Sequence, residues 1–302
     1  MTKRGLQVLG APIDSEALAE GCNLTPGVLR AAGLIEALGA ADLGDADVAI
    51  SNPRRDIVNG IVGFEQLCAA SATLQKALAT PLAQPDQTLV VGGCCSVLFG
   101  IVGAMRARYG RPGLVFVDGH LDFYSGTTSP SGSAADIDLW VVTGFGPAGI
   151  NDLGGPPPMV QPRDAWVLGY RDHADSLTYK SPDPMVMIPE AHFVDADQVK
   201  ARGASAVGDE AARALAADPG NFWVHVDLDV LSTQALPAVD YWQPGGFDWS
   251  ELRDLLTPLV ASPACAGLDV AIYNPSLDPR RRYAPMIVSL LADVFGRGAK
   301  PE

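Results

Sequence analysis

The sequence predicts a three-layer α/β/α fold around a mainly parallel sheet, and three observations carry that expectation. Short Val/Leu-rich runs with little polar alternation recur along the chain, as in strands covered on both faces. Longer segments with helical patterning separate them. The composition, 48% hydrophobic and 19% charged over 302 residues, is globular, and the chain is long enough to bury a substantial core. No repeat or low-complexity tract breaks the alternation, so residues 1–302 read as a single domain.

Six strands are expected, at Leu6–Leu9, Thr88–Val91, Leu114–Val117, Ala165–Leu168, Phe222–Val226 and Gly267–Ile272. A helix is expected from Thr25, read as its N-cap with Pro26 at the first helical position. Val28, Ala32, Ile35 and Leu38 would share one face of it. Further helices are expected near 61–79, 97–108, 195–216, 249–261 and 283–296. The Gly/Pro-rich stretch 144–163 reads as a long surface loop or lid within the domain.

Lys+Arg number 21 against Asp+Glu 35, a net charge of −14. That balance argues against nucleic-acid or anionic-membrane binding, which needs basic patches. Neither a signal peptide nor an apolar run of membrane-spanning length is apparent, and a cytoplasmic location is expected. The five cysteines, Cys22, Cys68, Cys94, Cys95 and Cys265, are too few and scattered for a secreted disulfide framework.

Parallel sheets place ligands at the carboxyl ends of their strands, and three such places carry chemistry. Asp118, His120 and Asp122 follow one strand at i, i+2 and i+4, and extended backbone would point all three to one side. Asp227 and Asp229 repeat the i, i+2 spacing after another strand. A lone Asp-x-Asp is usually turn chemistry or capping. Two such clusters favour a metal site, because crowded carboxylates repel one another unless a cation is present. Carboxylate-rich sets with an imidazole suit Mn²⁺ or related divalent ions, and two adjacent ions could activate a water. The third place is Gly92-Gly-Cys94-Cys95-Ser96, where packing explains a thiol pair but a thiolate could also ligate.

Taken in order, these segments resemble the arginase (ureohydrolase) family. LGAPID with TPGVLRAAGL resembles its opening strand and helix. GGCCS resembles its Gly-Gly-Asp-His-Ser, DGHLD its Asp-Ala-His-x-Asp, VDLDV its Asp-Val-Asp and GLDVAIYNPSLDP its closing motif, so the likeness runs from about 6 to 296. The resemblance implies an α/β/α sheet of about eight strands. It implies two divalent ions, Mn²⁺ first with Ni²⁺ or Zn²⁺ possible, held by Cys95, Asp118, His120, Asp122, Asp227 and Asp229, with Asp118 and Asp122 shared between them. The chemistry implied is attack of activated water on a guanidino or amidino carbon.

The departures from the family bear on the substrate. Cys95 stands where the family has a histidine ligand, which adds negative charge and lowers Lewis acidity. Ser131-Gly-Ser-Ala-Ala135-Asp136 stands at its Ser-Gly-Asn-x-His-Gly, so the proton-shuttling histidine is replaced by Ala135. Departure of an amine needs a proton. Asp136 and Asp138 are candidates to supply it, unless each is a solvated loop acid; Asp138 joins Asp122 as the catalytic pair to test. The guanidinium-binding glutamate falls at Ile272, and Tyr124 stands where the family holds an amino acid's carboxylate. Tyr124, Ser131 and Ile272 are thus the substrate-binding candidates, and arginine itself is disfavoured because a buried cation would lack its partner.

One branch, the Nω-hydroxy-arginine hydrolases of D-cycloserine biosynthesis, is similar in having a cysteine ligand and no shuttle histidine. The expectation is therefore a binuclear hydrolase of linear amidines acting on a weakly basic guanidine. The alternative is a non-catalytic or regulatory subunit of a ureohydrolase assembly. Homo- or hetero-oligomers are expected on the same resemblance. His225, His173, His192, the 241–246 stretch and Arg280-Arg281-Arg282 are read as core, rim, surface, pocket-wall and helix-flank residues respectively.

Overall fold

The computed structural model describes residues 4–17 and 21–298. Eight strands, all parallel, run in the order β2-β1-β3-β8-β7-β4-β5-β6. They are β1 (Leu6–Ala11), β2 (Ala41–Asp45), β3 (Gln87–Gly92), β4 (Gly113–Val117), β5 (Ala165–Leu168), β6 (His192–Val194), β7 (Phe222–Asp227) and β8 (Cys265–Ala271). All six expected strands form. The two edge strands escaped the sequence reading: β2 is Ala-Asp-Leu-Gly-Asp and exposed throughout, and β6 has only three residues. Neither presents the apolar run that marks a strand buried on both faces.

Eleven α-helices lie among the described residues: α1 (Thr25–Ala31), α2 (Leu34–Leu38), α3 (Phe64–Ala83), α4 (Val97–Tyr109), α5 (Asp138–Trp140), α6 (His173–Thr178), α7 (Pro184–Met187), α8 (Ala196–Arg202), α9 (Ala204–Ala217), α10 (Trp249–Ala261) and α11 (Ala284–Val294). Alternation along each strand divides the core. Val8, Leu89, Val115, Val224 and Leu268 face α1, α2 and α8–α11, whereas Leu9, Val90, Phe116 and Trp223 face α3, α4 and the segment after β4.

Two expected helices break in two. The first breaks at Gly33 and the fourth at Gly203, whose φ values of 89° and 86° are left-handed positions that favour glycine. The break at Gly33 shifts the most buried positions to Leu29, Leu34 and Leu38, and of the expected face Leu38 is fully buried while Val28, Ala32 and Ile35 are half-buried against the same core. Thr25 does not cap: it is the first residue of α1, and its hydroxyl donates to the Tyr273 carbonyl at 2.6 Å. Stretch 144–163 is a loop, and it packs against α4 rather than serving as a lid. Arg106 donates to Gly155 O, and Ile150, Met159 and Val160 enter the core.

Candidate metal centre

The carboxyl ends of β3, β8, β7, β4 and β5 make one rim in the middle of the sheet, and every one of them carries a polar or unusual residue. Register fixes the central pair. Val117 is opposite Val226, so Asp118 and Asp227 leave neighbouring strands side by side. Turns, and not the extended alternation expected, then gather the remaining donors. β4 stops at Val117, Asp118 Oδ1 accepts from His120 N at 2.6 Å, and Asp122 has a left-handed backbone with φ 43°. After β7 a 3₁₀ turn (Leu228–Val230) begins, and Asp227 Oδ1 accepts from Asp229 N at 2.7 Å.

The side chains meet closely. His120 Nδ1 lies 2.9 Å from Asp229 Oδ2 and 3.7 Å from Asp118 Oδ1. The Cys95 thiol donates to Asp227 Oδ2 at 2.8 Å. Gly93 sets the position of Cys95: a Cβ there would stand 1.8 Å from the Ile13 carbonyl oxygen, so only glycine lets the β3 exit pass the β1 exit. Cys94 and Cys95 are both free thiols, and Cys94 Sγ accepts from Ser15 N.

Burial dominates the electrostatics. It pushes the Asp122 and Asp227 carboxyls well above the usual range and raises Asp118, with repulsion among the carboxylates adding to each. It also drives the Cys95 thiol well up, helped by Asp227 and Asp118. Asp229 goes the other way: burial opposes ionisation, but His120, Arg171 and the Gly119 N–H hold it below the usual value. Burial would lower His120, yet Asp229 and Asp118 keep it well above an ordinary imidazole.

These residues fit divalent ions. Asp118 Oδ2, both Asp138 oxygens and His225 Nε2 are buried without a hydrogen-bond partner, a costly state that cation binding relieves. Two sets of donor atoms each lie within 4.8 Å of one another: Cys95, Asp118 and His225, and Asp118, His120 and Asp229. Asp118 belongs to both.

A cavity of about 220 Å³ adjoins this cluster, lined by His120, Asp122, Asp227 and Asp229 together with Tyr124, Ser131 and Ile272. All three substrate-binding candidates therefore reach the same space. The Ser131 hydroxyl already donates to Asp136 Oδ2 at 2.5 Å and accepts from Ser133 N. Burial, then Asp172, pushes the Tyr124 phenol up to about 12, so it is a neutral donor. Ile272 holds φ 69°, an outlier for a β-branched residue. Ala135 and Asp136 also line the cavity, but Asp138 does not. Neither acid is a solvated loop residue: Asp136 is half-buried on Ser129 and Ser131, and Asp138 is fully buried.

Sequence reasoning missed or set aside four groups. Asp172, just past β5, lines the cavity, accepts from Leu121 N at 3.0 Å and is pushed up to about 6 by burial. Arg171 donates to the Asp229 and Val230 carbonyls and steadies that turn. Asp269 and His225 pair beneath the cluster at 2.7 Å. The strand-end rule applied to β5 would have found the first two. The others need the β7–β8 register, in which His225 is opposite Asp269.

The residues read as peripheral mostly are. His173 Nε2 bonds Asp183 Oδ1 and does not line the cavity. His192 is exposed on β6 and stacks on Trp166, while Arg280, Arg281 and Arg282 are exposed ahead of α11. Tyr241 and Gln243 do line the cavity. Among the described residues no helix is long and apolar enough to cross a membrane.

Carboxylates, an imidazole and a thiol gathered on the rim of a parallel α/β/α sheet define a candidate metal-binding α/β/α protein. Comparison with known proteins places it more closely. The arginase family matches residues 4–296, and the chain belongs to that family, whose members are binuclear metal-dependent hydrolases of C–N bonds in guanidines and amidines. Arginase from Bacillus caldovelox is 27% identical over 300 residues, covering 96% of this chain and 98% of that protein. Its crystal structure superposes with a TM-score of 0.87 at 23% identity, over 99% of this chain and 100% of that one. Proclavaminate amidino hydrolase from Streptomyces clavuligerus shares the fold with a TM-score of 0.71 at 20% identity, over 98% and 92% of the two chains.

Proposed function

We propose that this protein hydrolyses a C–N bond of a weakly basic guanidine, of which Nω-hydroxy-L-arginine, the substrate of the D-cycloserine branch, is the first to test. The observation that carries the reading is the cavity wall. Ile272 and Ala135 line the space next to His120, Asp122, Asp227 and Asp229, so the wall offers no carboxylate at 272 to pair with a guanidinium and no imidazole at 135 to shuttle protons. A buried cation without its partner is expensive, whereas a hydroxyguanidine is far less basic and also needs less acid assistance to leave.

Cys95, Asp118, His120, Asp122, Asp227 and Asp229 would hold two divalent ions, Mn²⁺ first and Ni²⁺ or Zn²⁺ as alternatives. Bound there, the ions supply Lewis acidity and an activated water. The protein's own residues do the rest. Arg171 holds the Asp229 turn in place, and the Asp172 acceptor fixes Leu121 between His120 and Asp122. Tyr124 offers a phenolic donor and Ser131 an oxygen to the polar end of the substrate. Burial, then Asp118, pushes the Asp138 carboxyl well above the usual range, which makes it the candidate proton donor behind the cavity. Asp172 lies in the wall with a value of about 6 and exchanges a proton with the cavity near neutral pH. We place the protein in the cytoplasm, as a homo-oligomer or in an assembly with another ureohydrolase subunit.

The test is metal content per chain of reduced protein with Asp122→Ala alongside, followed by product release from a panel of guanidines. Near two ions per chain, fewer in the variant, and turnover of hydroxyguanidines support the reading. No ion bound after loading with Mn²⁺, Ni²⁺ or Zn²⁺, and no turnover, would make the chain a non-catalytic subunit.

A further inference from the structure

His225 is a residue for which packing alone does not account. It is fully buried in β7, two residues before Asp227, and it shares the α3/α4 face of the sheet with Phe116, whose ring lies 5.0 Å away. An imidazole in such surroundings needs both nitrogens satisfied. Nδ1 is: it lies 2.7 Å from Asp269 Oδ2. Asp269 is itself held, because its other oxygen accepts from the Trp223 indole at 2.6 Å. The carboxylate therefore accepts a hydrogen bond from Nδ1–H, and the neutral tautomer this selects carries its lone pair on Nε2. Nε2 has no hydrogen-bond partner, and a ring nitrogen of His225 stands within 4.8 Å of the Cys95 sulfur and an Asp118 oxygen. A ring whose far nitrogen is fixed by a carboxylate and whose near nitrogen faces a thiol and a carboxylate has the arrangement of an oriented metal ligand.

We propose that His225 Nε2 is a ligand, so that Cys95, Asp118 and His225 would contribute to one ion and Asp118, His120 and Asp229 to the other, with Asp122 and Asp227 completing the donor set. The proposal rests on the reading that the cluster holds divalent ions. It makes the two positions unequal. The first has sulfur, nitrogen and oxygen donors and prefers Zn²⁺ or Co²⁺, whereas the second, with two carboxylates and one imidazole, accepts Mn²⁺ readily. Asp269 and Trp223 become positioning residues that aim the ring.

Cobalt is the probe, because X-ray absorption counts the imidazole and sulfur neighbours of Co²⁺ independently of turnover. Co²⁺-loaded protein should show two imidazoles and one sulfur per two ions. His225→Gln should show one imidazole with the sulfur kept, and one of its two ions should bind at least about ten-fold more weakly. His120→Gln should also show one imidazole, contributed by His225, and it decides the question should His225→Gln fail to fold. A single imidazole in the parent protein, with none left in His120→Gln, overturns the proposal while leaving the metal centre intact. Uptake of no Co²⁺, Mn²⁺ or Zn²⁺ by the parent removes the metal reading itself, and the assignment of His225 with it.

Discussion

The floor of the cavity and its wall are built on opposite terms. Three strand ends bring Asp118, Asp227, Cys95 and, beneath them, His225 together in a floor so crowded with acids that burial and mutual repulsion push most of its carboxyls upward. The wall, at Ala135 and Ile272, is apolar where a cationic substrate would need charge. Donors for a metal must be numerous and close, and that closeness is unfavourable until a cation arrives. The side chains at 135 and 272 donate to no metal, so their identity can change while the donors of the floor are kept. The difference teaches that metal binding and substrate choice can be read separately in this chain.

Removing a floor residue should have the largest effect. Asp227→Asn is expected to weaken ion binding by about a hundred-fold or more, measured by calorimetric titration. The same change should leave the metal-free protein as stable as the parent or more so, because it removes a repelled buried carboxylate. A loss of both metal and stability would blur the distinction.

Next comes the anchor of the wall. Asp278 accepts from the Tyr273 hydroxyl at 2.8 Å and from the Arg282 and Tyr283 amides at 2.9 Å, tying the strand exit that carries Ile272 to the start of α11. Asp278→Ala should cost about 2–4 kcal/mol by denaturant unfolding. Although burial opposes ionisation, those donors hold Asp278 below the usual carboxylate value. Its contribution should therefore be present above its unfolded pKa and fade as pH falls through the folded one.

Asp172 carries the opposite sign. Its value of about 6 in the folded protein means that its ionised form is disfavoured there. What it contributes to stability is full below pH 4 and lost as pH rises through 6. Asp172→Asn should make the metal-free protein about 1–3 kcal/mol more stable at pH 8, a gain that vanishes below pH 4 in paired thermal melts.

Ile272→Glu tests the wall directly. Restoring a carboxylate there should raise kcat/KM for L-arginine by about ten-fold relative to a hydroxyguanidine, one unit of charge pairing in a part-buried site. Unchanged selectivity would show that the wall does not set the preference.

How much of this was legible in the sequence depends on whether one residue's neighbours suffice. The central strands announced themselves because burial on both faces demands continuous Val and Leu, and the donors because strand ends of a parallel sheet collect ligands. β2 and β6 did not, because an edge strand needs no apolar run. The convergence of Asp118, His120 and Asp122 was expected for the wrong reason: the backbone turns at Asp122, and an Asx turn plus the Asp172 contact does what extended alternation would not. His225 was legible only as a buried histidine. Its partner is 44 residues away, and pairing it requires the register that puts β7 against β8.

The most direct test of the account is the ratio of kcat/KM for Nω-hydroxy-L-arginine and L-arginine, measured on protein loaded with two Mn²⁺ per chain. A floor competent for hydrolysis beside a wall with no carboxylate at 272 predicts a preference for the hydroxyguanidine of at least about ten-fold, the loss of a single charge partner. Hydrolysis of L-arginine as fast or faster would contradict it, and would mean that some other group in the cavity meets the cation that Ile272 cannot.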